Sequence, residues 1–416
     1  MSAFMGFSVG LLIAALFFPA RIELETVAAD SERQPPAPKS PSAIGPEVTY
    51  RSVPMESLPN WQNDRLTEAL PSLVRSCKML LSKPGDALVG PSGLGGNVYD
   101  WRGPCTAMNS LKEFDAEAQE SRLREAMAYH FKAYAVEAAA SPEGTFTGYY
   151  ETSLNGSLKP TERFTVPLYA APEDLVEVDR RAFDLPNTIP SIVGRINSQA
   201  LVPYDSRKDI EQNEKFFERA NVLVWVDDLV DAHLLHIQGS GRVSLPDGSE
   251  RRIGYAGNNG KKFKGIGSIL LGAGVIGPGE SSMPSVADWL RANPEEARGY
   301  MEGNPRFIFF RWIEGPGPIG AFGTALEPRR SLAIDPRFIP YGAPLWLDAD
   351  DPDGEKLDRL VVALDTGAAI KGAVRGDFFW GAGQDAFMKA GRMKSTGRYY
   401  LLLPRTVSEP SPIGLP

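Results

Sequence analysis

Histidine and cysteine are scarce in this chain, with three of one and two of the other among 416 residues. No CxxC pair occurs, so a zinc site built from paired cysteines is excluded. His233 and His236 flank Leu234-Leu235 without a matching carboxylate motif, which argues against a metal centre. No metal and no cofactor is expected. A GxSxG serine elbow is absent. The nearest approach to a phosphate loop, "YAGNNGKK" (255–262), lacks the first glycine and the closing Ser or Thr. Basic charge is also short: 44 Lys and Arg stand against 52 Asp and Glu, for a net charge of −8. A nucleic-acid partner would call for a basic surplus. There is neither an internal repeat nor a heptad pattern.

Long apolar runs are missing except one. Residues 5–20, "MGFSVGLLIAALFFPA", are uncharged and mostly apolar. They fall short of the roughly 20 residues of a membrane-spanning helix, and suit the core of an export signal. No Lys or Arg precedes them, the first being Arg21. Residues 1–29 are therefore read as an export signal or anchor, with Ala28 or Ala29 closing a weak cleavage site. No cysteine lies near, so a lipid anchor is not expected. Residues 30–47 are rich in Pro, Ser and Ala and read as a tether. Cys77 lies on the apolar face of "LVRSCKMLL", where a buried thiol is one reading. After export, a Cys77–Cys105 disulfide is the favoured one, closing a loop of about thirty residues and worth about 3–4 kcal/mol.

What is present in quantity is Gly (41) and Pro (35), which predicts many turns and short strands. Leu66, Leu70, Leu73, Cys77 and Leu80 recur at helical spacing, with Pro71 starting or kinking the helix. Leu123, Met127, Phe131, Tyr134 and Ala138 predict a helix over 121–140. "GTFTGYYETSLNGS" (144–157), aromatic and β-branched but ending in turn residues, reads as a strand and a loop. Residues 221–255 read as further strands, with a hairpin turn at Pro246-Asp247-Gly248. Two short helices follow, one capped by Ser285 and one starting at Pro294 behind Asn293. From residue 304 strands dominate, with one helix in "QDAFMKAGRMK", which suggests a small β-barrel.

Three aspartates sit near the ends of these late strands: Asp335, Asp365 and Asp377. A strand-end carboxylate beside glycine is well aimed for catalysis, although Asp caps turns far more often. Phe378, Phe379 and Trp380 follow Asp377 directly, and burial against them would raise its pKa. Lys371 and Arg375 would oppose that if they pointed inward. A protonated Asp in an aromatic-lined groove suits glycosidic cleavage, where the leaving oxygen needs a proton. Leu364-Asp365-Thr366-Gly367 also matches the active strand of an aspartic protease. Only one such motif occurs, so the two-lobed enzyme is excluded, while a dimeric aspartic protease stays open as the third reading. Tyr149, Tyr150 and Glu151, then Gln238, Gly239, Ser240 and Gly241, then Tyr255, Gly257 and Asn258 could line a sugar groove, together with Lys371. Packing of the tyrosines and ordinary glycine turns are the competing readings.

Six ordered segments carry a resemblance: "GTFTGYYETSLNGS", "LLHIQGSGRVSLPDG", "RIGYAGNNGKKFKGIG", "NPRFIFFRW", "RRSLAIDPRFIPYGAPLWL" and the stretch from "VVALDTGAAIKGAVRGDFFWG" to "GRYYLLLP". Together they resemble the membrane-bound lytic murein transglycosylase A family over roughly 61–404. The resemblance implies a mainly β fold with some α. A double-psi β-barrel would comprise 48–157 and 302–407 with N-terminal helices. An inserted β domain over 158–301 would line a glycan groove, and 408–416 would be a tail. It implies non-hydrolytic cleavage of the β-1,4 bond between N-acetylmuramic acid and N-acetylglucosamine. Asp377 would be the single general acid/base, Asp365 its support, and Asp335 structural. Partners would be glycan strands and other cell-wall enzymes, in the periplasm, with membrane contact only through the N-terminal segment. A non-catalytic glycan-binding module is the rival. Gly376 places Asp377 on what reads as a flexible loop.

Overall fold

The computed structural model describes residues 47–139, 141–185 and 191–414. The export and tether readings, 1–29 and 30–47, lie outside them except for Glu47. The first strand is β1 (Glu47–Val53). Helix α1 (Leu70–Leu81) carries Pro71 in its first turn, where a missing N–H leaves nothing unsatisfied. Helix α2 (Val98–Ser110) opens with a capping box between Asn97 and Asp100. The two are joined by the Cys77–Cys105 disulfide, with Cα atoms 5.3 Å apart. Helix α3 (Ala116–His130) starts at the Asp115 side chain. It stops ten residues before the sequence pattern suggests. Phe131–Ala138 is instead strand β2, paired with β1 on one side and with residues 400–404 on the other. Two hydrogen-bonded flanks outweigh the local helical period.

Strand β3 (Gly144–Ser157) follows and runs through the turn residues expected to form a loop, because residues 152–155 pair with 241–244 and residues 156–157 with 225–226. Then come β4 (Val166–Tyr169), a separate three-stranded sheet of β5 (Val176–Glu177), β6 (Val193–Asn197) and β7 (Ala200–Pro203), and helix α4 (Arg207–Gln212). Strand β8 (Val222–Val226) leads into helix α5 (Leu229–Gln238), where strand was expected. The Asp228 carboxylate caps α5 through the N–H groups of Val230 and Asp231. Val230 and Leu234 pack on one apolar cluster, and Ala232 and Leu235 on another. A helix buried on both faces shows a continuous apolar run, and that run mimics a strand. Gly239, at φ 80°, ends it. Strands β9 (Ser240–Ser244) and β10 (Glu250–Asn258) form the expected hairpin around Pro246-Asp247-Gly248. Helices α6 (Ile266–Gly272), α7 (Met283–Ala292) and α8 (Pro294–Glu302) pack together. Ser282, not Ser285, caps α7: its hydroxyl accepts from the Ser285 N–H.

The last third contains β11 (Ile308–Ile313), β12 (Ser331–Ala333), β13 (Pro344–Ala349), β14 (Arg359–Asp365), β15 (Arg375–Ala382), α9 (Gly383–Arg392), β16 (Lys394–Pro404) and β17 (Ile413–Gly414). The expected free tail is corrected by β17, which pairs with β1. Six strands close on themselves in the order β3, β15, β12, β14, β13, β16 and back to β3. The β3–β15 and β12–β14 pairs are parallel and the rest antiparallel. Phe146, Leu332, Leu345, Val362, Phe378 and Leu401 fill the core. A second core gathers Leu154, Leu168, Val224, Val243, Ile253 and Phe310. Strand β3 serves both: fourteen residues extend roughly 45 Å. No helix among the described residues is long and apolar enough to cross a membrane.

Buried in the second region are His233 and His236. The Ile308 N–H donates to His236 Nδ1 at 3.1 Å, but neither nitrogen of His233 has a partner among the described residues. Burial, then the Arg207 guanidinium, holds both imidazoles well below the usual histidine range. Below about pH 6.5 the unfolded chain takes up protons that these rings refuse. Each ring then removes up to about 1.4 kcal/mol of stability per pH unit as pH falls. We expect His233→Leu to melt at a higher temperature than the parent at pH 5.5, by a wider margin than at pH 7.5. An equal margin at both pH values would contradict this.

Candidate active site

Asp377 is the third residue of β15, not part of a loop as the sequence suggests. It lies opposite Thr147 of β3 and Ala333 of β12, held by strands on both sides. Asp365 is the last residue of β14, where its backbone carbonyl accepts from Ile334 N–H at 2.9 Å. The closed strand ring thus brings the two carboxylates together.

Around Asp377 the proton positions follow from donor chemistry. Arg375 Nη2 donates to Thr147 Oγ1 at 2.7 Å, and Thr147 lies 2.5 Å from Asp377 Oδ1. A guanidinium cannot accept, so Thr147 must receive from Arg375 and donate its own proton to Asp377. That leaves Oδ2 as the oxygen able to carry an acidic proton. Burial pushes the Asp377 carboxyl up, while the Thr147 hydroxyl and the Arg375 charge oppose it. Burial likewise moves Asp365 up to about 6, against the N–H groups of Ala321 and Thr366, each 2.9 Å from Oδ1, and with help from the Asp377 charge. Both side chains are half-buried.

Strand alternation puts Thr147, Tyr149 and Glu151 on one face of β3. The Tyr149 hydroxyl is buried and directed at the Asp365 carboxyl, whose charged form it favours. Burial, followed by the charges of Asp365 and Asp377, raises its pKa far above the ordinary value, which places it beside both carboxylates as a neutral donor. Its ring lies 5.1 Å from that of Phe379. Between Thr147 and Tyr149, Gly148 is required by close approach: a Cβ there would come 2.6 Å from Trp380 Nε1 and 2.8 Å from the Ala390 Cα of α9.

Asp335 stands apart. Arg337 grips it through Nε and Nη2, and the N–H groups of Gly372 and Arg337 donate to it. Burial works upward on it, yet these donors hold it below the usual carboxylate range. It ties the turn that leads into β15.

The other expected groove residues divide. Glu151, 1% exposed, is locked between Arg242 at 2.7 Å and Arg252 at 3.2 Å. This corrects its place among sugar contacts, because both oxygens are engaged inside the protein. Gln238 accepts from the Tyr150 N–H, and Tyr150 packs 5.3 Å from Phe387. Gly239 and Ser240 join α5 to β9, and Gly241 pairs with Thr152. Tyr255 is 45% exposed and takes a hydrogen bond from Asn258. Lys371 is exposed. None of these last residues has a described contact with Asp365 or Asp377. Sequence reasoning missed Thr147, whose signal was its place two residues before Tyr149 on one strand face. Two sizeable concavities, about 510 Å³ beside Arg330 and about 650 Å³ beside Trp61, are not lined by either aspartate.

Two family models match in order: the MltA specific insert domain over 145–311 and the 3D domain over 330–403. The membrane-bound lytic murein transglycosylase A of Escherichia coli is 30% identical over 265 residues, that of Vibrio cholerae 29%. Each match covers 62% of this chain, and spans 65% and 64% of those proteins' own length. The crystal structure of MltA from Neisseria gonorrhoeae superposes with a TM-score of 0.73 at 31% identity, covering 90% of this chain and 98% of that one. With ordered family matches over both regions and a shared mixed α/β architecture, this chain belongs to the membrane-bound lytic murein transglycosylase A family.

Proposed function

We propose that the protein is a peptidoglycan lytic transglycosylase that uses Asp377 as its only general acid/base. The observation that carries this is the half-buried Asp377 carboxyl, raised by burial and held through one oxygen only. Family membership supports the activity, because the matched E. coli and V. cholerae proteins bear that name. We read the closed six-stranded ring as a double-psi β-barrel and 158–301 as the insert facing it across a glycan groove. Export to the periplasm belongs to the same reading.

In the first half, Asp377 Oδ2 gives its proton to the glycosidic oxygen as the bond to the muramoyl anomeric carbon breaks. In the second, the same carboxylate takes the proton of the muramoyl C6 hydroxyl, whose oxygen closes on that carbon as a 1,6-anhydro ring. No water is consumed. Attack from within the sugar supplies the effective concentration that a hydrolase obtains by positioning water, so one carboxylate serves where hydrolases use two. Tyr149 and Asp365 stand beside Asp377 and keep the site polar.

Digestion of purified sacculi tests this: the released muropeptides should be lighter by one water than hydrolytic products. Reducing ends, or no release, would defeat the reading. Thr147→Val tests the proton layout. Losing one hydrogen bond to a charged group, about 1.5 kcal/mol, should lower kcat about tenfold. The Thr147 hydroxyl favours the carboxylate, so its loss leaves Asp377 protonated to higher pH. The basic limb of kcat/KM should therefore move upward. An unmoved limb would show that Thr147 does not bear on Asp377.

A further inference from the structure

A second charged site lies behind the strand that carries Asp377. Along β15, Phe378 and Trp380 point away from Asp377. The Arg359 guanidinium sits 6.0 Å from the Phe378 ring and that of Arg329 sits 5.4 Å from Trp380. Both arginines line the concavity of about 510 Å³, whose wall holds five cationic and three carboxylate side chains. That excess is unexpected in a chain of net charge −8.

Three of the cations are satisfied. Arg330 is bound by Asp64 and Glu68, Arg65 by Glu68, and Lys356 by Asp350. Neither Arg359 nor Arg329 forms a direct ion pair among the described residues, although Asp64 and Glu68 act on Arg359 at longer range. The Nε of Arg359 is buried without a hydrogen-bond partner. Burial, then the charges of Arg330 and Arg329, pushes its guanidinium down to about 10, against the opposing charges of Asp64 and Glu68. The neighbouring Asp358 is closed off: its Oδ1 is buried and unpaired, while Oδ2 takes the Asn60 amide. An unmatched pair of planar donors lining an open basin describes a missing carboxylate ligand.

We propose that this basin binds the carboxyl end of a peptide, its carboxylate against Arg359 and Arg329. Guanidinium forks fit a carboxylate in two parallel bonds. A phosphate dianion doubles both the attraction to the arginines and the repulsion from Asp64, Glu68 and Asp358, so charge alone does not separate it from a carboxylate and the titration must. A neutral sugar would leave Arg359 unpaired. Only the source of the peptide, the stems carried by peptidoglycan, rests on the proposed function.

Calorimetric titration tests it with N-acetyl-D-alanyl-D-alanine, its C-terminal amide and inorganic phosphate. The acid should bind at least tenfold tighter than the amide or phosphate. Arg359→Gln should lose at least tenfold of that affinity and melt no lower than the parent, because it removes an unpaired buried cation. Arg329→Gln, at an exposed position, should fold regardless and also lose affinity. Equal binding of acid and amide, tighter binding of phosphate, or parental affinity in both variants would overturn the proposal. Asp377→Asn should bind the dipeptide as the parent does. Binding with no cleavage of sacculi by the parent would sustain the basin and sink the proposed function. Cleavage without binding would do the reverse.

Discussion

Asp377→Asn should leave the protein folded and glycan-competent while release from sacculi falls about 10³–10⁴-fold, equivalent to ~4–5.5 kcal/mol of barrier. The amide still accepts from Thr147 through its oxygen, so the local geometry persists. What it lacks is the proton on the second oxygen, needed first by the leaving group and then regained from the sugar hydroxyl. The stability sign is equally definite. A carboxyl whose folded pKa is raised stabilises the fold below its unfolded pKa, and that contribution is lost as pH rises through the folded value. At pH 7 the ionised group is a burden, and asparagine removes it. The variant should therefore melt at or above the parental temperature. Cleavage near the parental rate would remove Asp377 from the chemistry. A much lower melting temperature would make it a structural residue instead.

Arg330→Gln should produce the largest stability loss, about 3–5 kcal/mol. Only 3% of the Arg330 side chain is exposed, and it reaches both oxygens of Asp64 at 2.7 Å, Glu68 at 2.8 Å, and the Leu360 and Arg65 carbonyls at 3.0 Å. Asp64 is itself only 6% exposed and also accepts from the Leu360 N–H. Removing the guanidinium leaves that carboxylate buried with one donor, a penalty larger than the worth of the pair. Urea denaturation of the single variant and of Arg330→Met/Asp64→Leu separates the two. The double variant should recover most of the loss. A single-variant loss under about 1 kcal/mol would show that water replaces the arginine, as at a surface pair.

The amino-acid order settled several features unaided. Aromatic and β-branched residues in "GTFTGYYETSLNGS" set the start of β3, Pro-Asp-Gly sets the β9–β10 hairpin, and Pro71 opens α1, because strand preference and turn dihedrals are local properties. The three aspartates and their glycines were legible for the same reason. Long-range pairing decided the rest. Residues 131–138 became strand because β1 and β16 flank them, and α5 became helix between two cores. Glu151 was drawn into two arginines brought by β9 and β10. Thr147 reaches Asp377 across 230 residues, and Arg330 reaches Asp64 across 266. Which carboxyl keeps a proton depends on desolvation and on neighbours within a few ångströms, and only the closing of the strand ring brings those neighbours within reach.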